Sequence, residues 1–175
     1  MTAMSISTTR PRPAALAALV IAIGGIAAIL GVYFFQYVLG LAPCPLCLDQ
    51  RKVYYVAIPL ALIVAFAAWR QAPRPLIVGG LALLVIAMLI GAAIAVYHSG
   101  VEWKFWEGPR DCSGPISNFG NAGGLLEQMQ ATSVVRCDQA TRFLGVSLAN
   151  VNVIVSLVLA AVAVVGIRAE SRRVG

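Results

Sequence analysis

The chain has 175 residues, 60% of them hydrophobic and 11% charged, against roughly 45–50% apolar and about 25% charged in an ordinary soluble domain. A globule of this length has too little interior for so much apolar side chain, so most of that surface is expected to face lipid. The formal charge of +6 would attract phosphate, but the basic residues stand singly or in pairs at the ends of apolar runs, and nucleic acid is excluded as a partner.

The N-terminal dozen residues are polar and expected to be poorly ordered. The first apolar run covers about residues 14–39 and is interrupted only by Gln36. A bilayer core of ~30 Å needs about 20 apolar residues as a helix. This run exceeds the roughly 7–15 residues of a signal-peptide core and is followed by no small-x-small cleavage site, so it reads as a retained span. A short outer loop at about 40–47 leads to a second span at about 48–69, and a tight turn with Arg70, Pro73, Arg74 and Pro75 leads to a third at about 76–97. A long outer segment at about 98–143 precedes the fourth span, at about 144–167. No alternation of polarity in ~10-residue segments argues for a barrel. The expected architecture is an all-α membrane protein: one domain, residues 1–175, built as a four-transmembrane-helix bundle.

Orientation follows the Lys/Arg distribution near the spans. Arg10 and Arg12, Arg70 and Arg74, and Arg168, Arg172 and Arg173 crowd one side with Glu170 as the single acid there, whereas the other side mixes basic and acidic residues evenly. Both termini and the tight turn are assigned to the cytoplasm, and all four cysteines then face outward, where disulfides persist. In the long outer segment, Trp103, Phe105 and Trp106 suit an aromatic belt at headgroup depth. Leu125, Leu126 and Met129 suit a short interfacial helix with one apolar face.

The cysteines carry the chemistry. Four cysteines allow three connectivities; the spacing favours Cys44 with Cys47, in Cys-Pro-Leu-Cys, and Cys112 with Cys137. A Cys-x-x-Cys disulfide closes a very small loop and gains little as a staple, which suits a redox centre. Cys47 lies near the start of the second helix, whose positive dipole end favours a thiolate. Arg51, four residues on, returns to the same helix face and adds a fixed cation, or else anchors the helix end at the interface. Cys112 and Cys137 lie in a glycine- and proline-rich stretch that resists regular structure, suited either to a structural staple or to an exposed, exchangeable disulfide. His98, the sole histidine, is read either as an interfacial side chain or as a hydrogen-bond donor or proton source near the first pair. Asn150, Asn152 and Ser156 read as polar links between helices. One Cys-x-x-Cys and a lone histidine do not make a zinc pattern, and no metal is expected.

Taken together, Pro43-Cys44-Pro45-Leu46-Cys47 followed by Arg51, the stretch from Tyr97-His98 through Glu102-Trp103 and Gly108-Pro109 to Cys112, and Arg136-Cys137-Asp138 resemble the DsbB family of bacterial membrane disulfide bond formation proteins. The vitamin K epoxide reductase family is similar, but there the loop pair precedes the Cys-x-x-Cys; here it follows. The resemblance implies a quinone-dependent thiol oxidase of the bacterial inner membrane. A reduced, thioredoxin-fold DsbA-like protein would attack Cys112–Cys137, with Cys112 the site of the mixed disulfide. Electrons would pass to Cys44–Cys47 and then, from Cys47, to ubiquinone or menaquinone beside Arg51 and His98. A quinone reductase like the vitamin K family, or a membrane scaffold with two structural disulfides, are the competing readings.

Overall fold

The computed structural model describes residues 12–109, 137–138, 142–143 and 146–172. Cys112 and the Leu125–Met129 stretch expected to form an interfacial helix lie outside the described residues. Four helices dominate: α1 (Pro13–Tyr33), which continues into a π-helical turn (Phe34–Val38), α2 (Pro45–Trp69), α3 (Arg74–Glu102) and α4 (Leu148–Arg172). Each is long and apolar enough to cross a membrane, the π turn counted with α1. The protein is a multi-pass membrane protein.

The helices begin and end where local chemistry dictates. Pro13, Pro45 and Pro75 each stand in a first turn, where a missing N–H costs nothing. The end of α2 is a Schellman closure: Ala72 N–H donates to the Ala67 carbonyl and Gln71 N–H to that of Ala68, with Gln71 in the left-handed region at φ 59°. That closure makes the α2–α3 turn tight.

The helices form a ring in which α1 packs on α2, α2 on α3, α3 on α4 and α4 on α1. Their seams are lined with small side chains. Ala14, Ala18, Ala57, Ala61, Ala65 and Ala163 are buried among Ile21, Ile77, Leu81, Leu84 and Met88. Close approach is what binds helices in lipid, where burial of apolar surface gives no advantage. At Gly166 a Cβ would lie 2.7 Å from that of Ala17, so the α1–α4 contact requires glycine there. Leu30, Ile63, Phe66, Leu83 and Val165 point outward, toward lipid.

Three differences from the sequence reading bear on function. The second helix starts at Pro45, so Cys47 is inside its first turn. The third runs on to Glu102, which puts His98 on a helix rather than in a loop. The fourth starts at Leu148, preceded by a two-residue antiparallel pairing of β1 (Arg142–Phe143) with β2 (Val146–Ser147). Packing explains the extension of α3: His98, Gly100 and Val101 are buried, so tertiary contacts carry the helix past the end of its apolar run. Beyond it, Trp103, Phe105 and Trp106 are exposed, as a belt requires, and the Trp106 ring stacks on Tyr97 at 6.0 Å.

Candidate redox site

The site is assembled where α2 begins, α3 ends and the π turn closes α1. Cys44 caps α2: its Sγ accepts the Cys47 backbone N–H at 3.3 Å, the role an oxygen side chain usually fills. The cap brings the two sulfurs to 2.9 Å, and both thiols are free. Cys44 is buried and Cys47 only partly so. The hydrogen bond that Cys44 donates to Cys47, followed by burial and by the charge on Cys47, pushes the Cys44 thiol well above its ordinary value. Cys44 is therefore the proton-bearing member of the reduced pair.

Cys137 is disulfide-bonded. It is 1% exposed and shares a buried cluster with Cys44, Leu46 and Val101, against which Cys47 also packs. The two parts of the chain that carry cysteines thus meet at the helix start.

His98 sits between these groups. Its Nε2 lies 3.6 Å from Cys44 Sγ and 3.7 Å from Glu102 Oε1, one turn along α3, with both side chains about 5% exposed or less. Its Nδ1 accepts from Gln50 Nε2 at 2.8 Å. Glu102 is in turn bonded by the Ser147 hydroxyl at the entry to α4.

Arg51 returns to the same face as Cys47, as its spacing predicts. It is 8% exposed, donates from Nη1 to Gln36 Oε1 at 2.6 Å, and lies over the Tyr33 ring at 5.6 Å. Gln36 belongs to the π turn, and π turns often mark functional sites. Arg51 Nε is buried with no hydrogen-bond partner. Among the described residues no carboxylate pairs with this guanidinium.

Cys44, Cys47, Arg51, His98 and Glu102 line one cavity of about 240 Å³, whose remaining wall is largely apolar and includes Val32, Phe35 and Val155. Of the six residues expected at the site, the structure gathers Cys44, Cys47, Arg51 and His98 here and brings Cys137 into the same buried cluster as Cys44. Gln36, Gln50, Tyr54, Glu102 and Asn152 were not expected. Each had a weak signal: Gln36 and Asn152 are polar residues inside apolar runs, Gln50 and Tyr54 follow Cys47 and Arg51 by three residues, and Glu102 follows His98 by four.

A model of the DsbB disulfide bond formation family matches residues 14–166. The chain belongs to the DsbB family. It is 32% identical over 83 residues to disulfide bond formation protein B of Polaromonas naphthalenivorans (strain CJ2), covering 47% of this chain and 47% of that protein. It is 37% identical over 79 residues to disulfide bond formation protein B 2 of Pseudomonas aeruginosa (strain PAO1), covering 45% and 43%. The chain thus spans about half the length of the curated relatives it matches. The cavity offers a ligand two kinds of contact. The unpartnered Arg51 Nε lacks an acceptor that a carbonyl or anionic oxygen would supply, and the apolar wall suits a ring carrying a hydrocarbon tail.

Proposed function

We propose that this DsbB-family protein is a quinone-dependent protein-disulfide oxidoreductase that reoxidises a DsbA-like thioredoxin-fold protein on the outer face of the bacterial inner membrane. The observation that carries the reading is the free Cys44–Cys47 pair, 2.9 Å apart, in the wall of a cavity where a buried Arg51 donor has no partner. Cys112 and Cys137 form the pair that meets the external dithiol, with Cys112 taking the mixed disulfide. The burial of Cys137 beside Cys44 supports exchange between the pairs at Cys44, leaving Cys47 to face the acceptor.

A bound ubiquinone or menaquinone supplies a two-electron, two-proton acceptor. The chain's own groups prepare for it. Cys47 N–H fixes Cys44 as the cap, so the two sulfurs are held in register. Arg51, oriented by Gln36 and Tyr33, presents positive charge to the cavity, and a charge-assisted hydrogen bond there is roughly twice as strong as a neutral one. His98 and Glu102 stand beside Cys44, where a proton leaves as the sulfurs join. Arg12, Arg70, Arg74 and Arg172 crowd the bundle end opposite the cysteines, which supports cytoplasmic termini and outward cysteines.

The proposal is tested by tethering detergent-purified protein to its two partners. Wild type with reduced DsbA-like protein and ubiquinone is expected to consume one quinone per dithiol, and Cys112→Ser is expected to accept none of those electrons. Full turnover in Cys112→Ser would remove the relay. Two structural disulfides, the scaffold reading, would leave quinone untouched in every variant.

A further inference from the structure

From the cysteine pair a continuous line of polar side chains runs down into the bundle. Gln50 Nε2 donates to His98 Nδ1 at 2.8 Å, and Gln50 Oε1 accepts from Asn152 Nδ2. Asn152 Oδ1 accepts the Tyr54 hydroxyl at 2.6 Å, and Tyr54 lies 3.2 Å from Ser156 Oγ. Gln50 and Ser156 are buried at 7% and 0% exposure, His98 at 4% and Tyr54 at 3%. So long a polar line in a membrane bundle is costly wherever one member is left unsatisfied, and helix adhesion alone would not need it to end on a histidine.

Its membership has a particular property. An amide presents an acceptor and a donor that exchange places on a half-turn, and a hydroxyl both gives and takes. As drawn, Nδ1 of His98 is an acceptor, its proton is on Nε2, and Ser156 donates to Tyr54. If Gln50 and Asn152 both turn over, Gln50 Oε1 accepts from an Nδ1–H, Asn152 Nδ2 donates to Tyr54, and Tyr54 donates to Ser156. Every contact within the string survives with its polarity reversed, and the Ser156 proton turns to a carbonyl of its own helix; the contact given up is the one His98 makes with the backbone carbonyl of Cys137. In that second arrangement Nε2 carries a lone pair, 3.6 Å from Cys44 Sγ.

We propose that Gln50, Asn152, Tyr54 and Ser156 are positioning residues whose reversible hydrogen-bond string lets His98 take the proton of Cys44 during quinone reduction, with Glu102 as the counter-charge. This inference rests on the quinone-linked reading above. In the step, the Cys44–Cys47 bond forms and the Cys44 S–H bond breaks. Two electrons leave the sulfurs for the quinone, and the Cys44 proton goes to His98 Nε2. The quinone gains two protons overall, that one by way of His98 and the other from Cys47, so dithiol plus quinone gives disulfide plus quinol. While it holds the proton, imidazolium His98 has Nδ1–H on Gln50 Oε1 and Glu102 Oε1 at 3.7 Å from Nε2. The titratable groups around it are Glu102 on α3, Cys44 and Cys47 where α2 begins, and Arg51 and Tyr54 deeper on α2. The string's α4 members, Asn152 and Ser156, are neutral.

His98 is the only histidine in the chain, so its imidazole nitrogens can be read one by one by ¹⁵N NMR of reduced protein in detergent, with neither quinone nor protein partner present. The distinctive variant is Asn152→Asp, which never touches His98. A carboxylate at 152 only accepts, so it forces Gln50 Nε2 toward itself and Gln50 Oε1 toward His98. Nδ1 is then expected to move to the protonated position, as it should directly in Gln50→Glu. Wild type, in which both polarities are open, is expected to show Nδ1 gaining its proton reversibly as pH falls, with the fold retained. Turnover in Asn152→Leu should fall about tenfold in kcat with KM for quinone unchanged, less than the roughly 10²–10⁴-fold of a general acid–base group itself, because Asn152 acts only through His98. An unaltered His98 spectrum in folded Asn152→Asp, or a wild-type Nδ1 that stays an acceptor at every pH the protein survives, overturns the string. Those results would leave the quinone-linked reading standing. That reading fails separately, when wild type reduces no quinone.

Discussion

Two arginines stand at opposite ends of this bundle, Arg12 partly buried and Arg51 buried, and their surroundings differ in kind. Arg12, at the foot of α1, donates from Nε to Gln71 Oε1 at 2.7 Å and from Nη1 to the Ala72 carbonyl at 3.1 Å, and pairs with Glu170 of α4 at 3.4 Å. It ties α1, the α2–α3 turn and α4 together, and its charge is met by a carboxylate. Arg51 has a glutamine and an aromatic ring, and a buried Nε with nothing to donate to. A guanidinium buried with a counter-charge reads as a clasp. One buried without a counter-charge among the described residues, in a cavity wall beside two thiols, reads as half of an interaction whose other half arrives with the reaction.

The contrast can be broken from either side. The largest expected effect is on stability: Arg12→Ala leaves Glu170 uncompensated, and breaking a buried pair costs about 3–5 kcal/mol. The lower end applies because the Arg12 side chain is 17% exposed. Thermal unfolding in detergent should show the drop while KM for quinone stays put; a shifted KM with an unshifted midpoint would reverse the two roles. Next comes Arg51→Met, which should raise KM for quinone some 10- to 100-fold, as expected for a charged hydrogen bond of roughly 1.5–3 kcal/mol. Its unfolding midpoint should hold or rise, since a buried charge without a counter-ion is removed. A midpoint that collapses instead would make Arg51 a second clasp.

Smaller is the effect of Gln36→Leu, which deprives Arg51 of its orienting acceptor while keeping side-chain bulk. About 1 kcal/mol, or a fivefold rise in KM, is expected, and nothing if the π turn is incidental. The smallest change is one of order rather than rate. In the reduced protein a thiolate-selective alkylating reagent should modify Cys47 before Cys44, because Cys44 is more buried and holds its proton above the usual thiol range. Since that shift is upward, Cys44 labelling should keep rising with pH beyond about 8.5, the ordinary thiol value. Peptide mapping that found Cys44 labelled first at neutral pH would exchange the roles of the two sulfurs.

The sequence made the four spans legible because lipid imposes a hydropathy signal that no tertiary contact overrides. The boundaries were less so. Residues 98–102 contain a histidine, a serine, a glycine and a glutamate, and only their packing shows that α3 continues through them. Within the site, what is local was legible: Cys44, Cys47 and Arg51 are spaced by three and four residues on one helix. What depends on chain crossings was not. Gln50 and Asn152 meet across 102 residues, and Tyr54 looks like one more residue of an apolar span until its hydroxyl finds Asn152. Asn152 and Ser156 do link helices, as their placement in a span suggested. That the link leads to His98 is visible only in three dimensions.

On the proposed route electrons leave through Cys47 to a quinone held beside Arg51. It is tested by quinone consumption in detergent-purified protein supplied with a reduced DsbA-like protein, in wild type and in Cys47→Ser. One quinone reduced for each dithiol oxidised is expected of wild type, and none of Cys47→Ser. Retained turnover in Cys47→Ser, or a wild type that consumes no quinone, would contradict it.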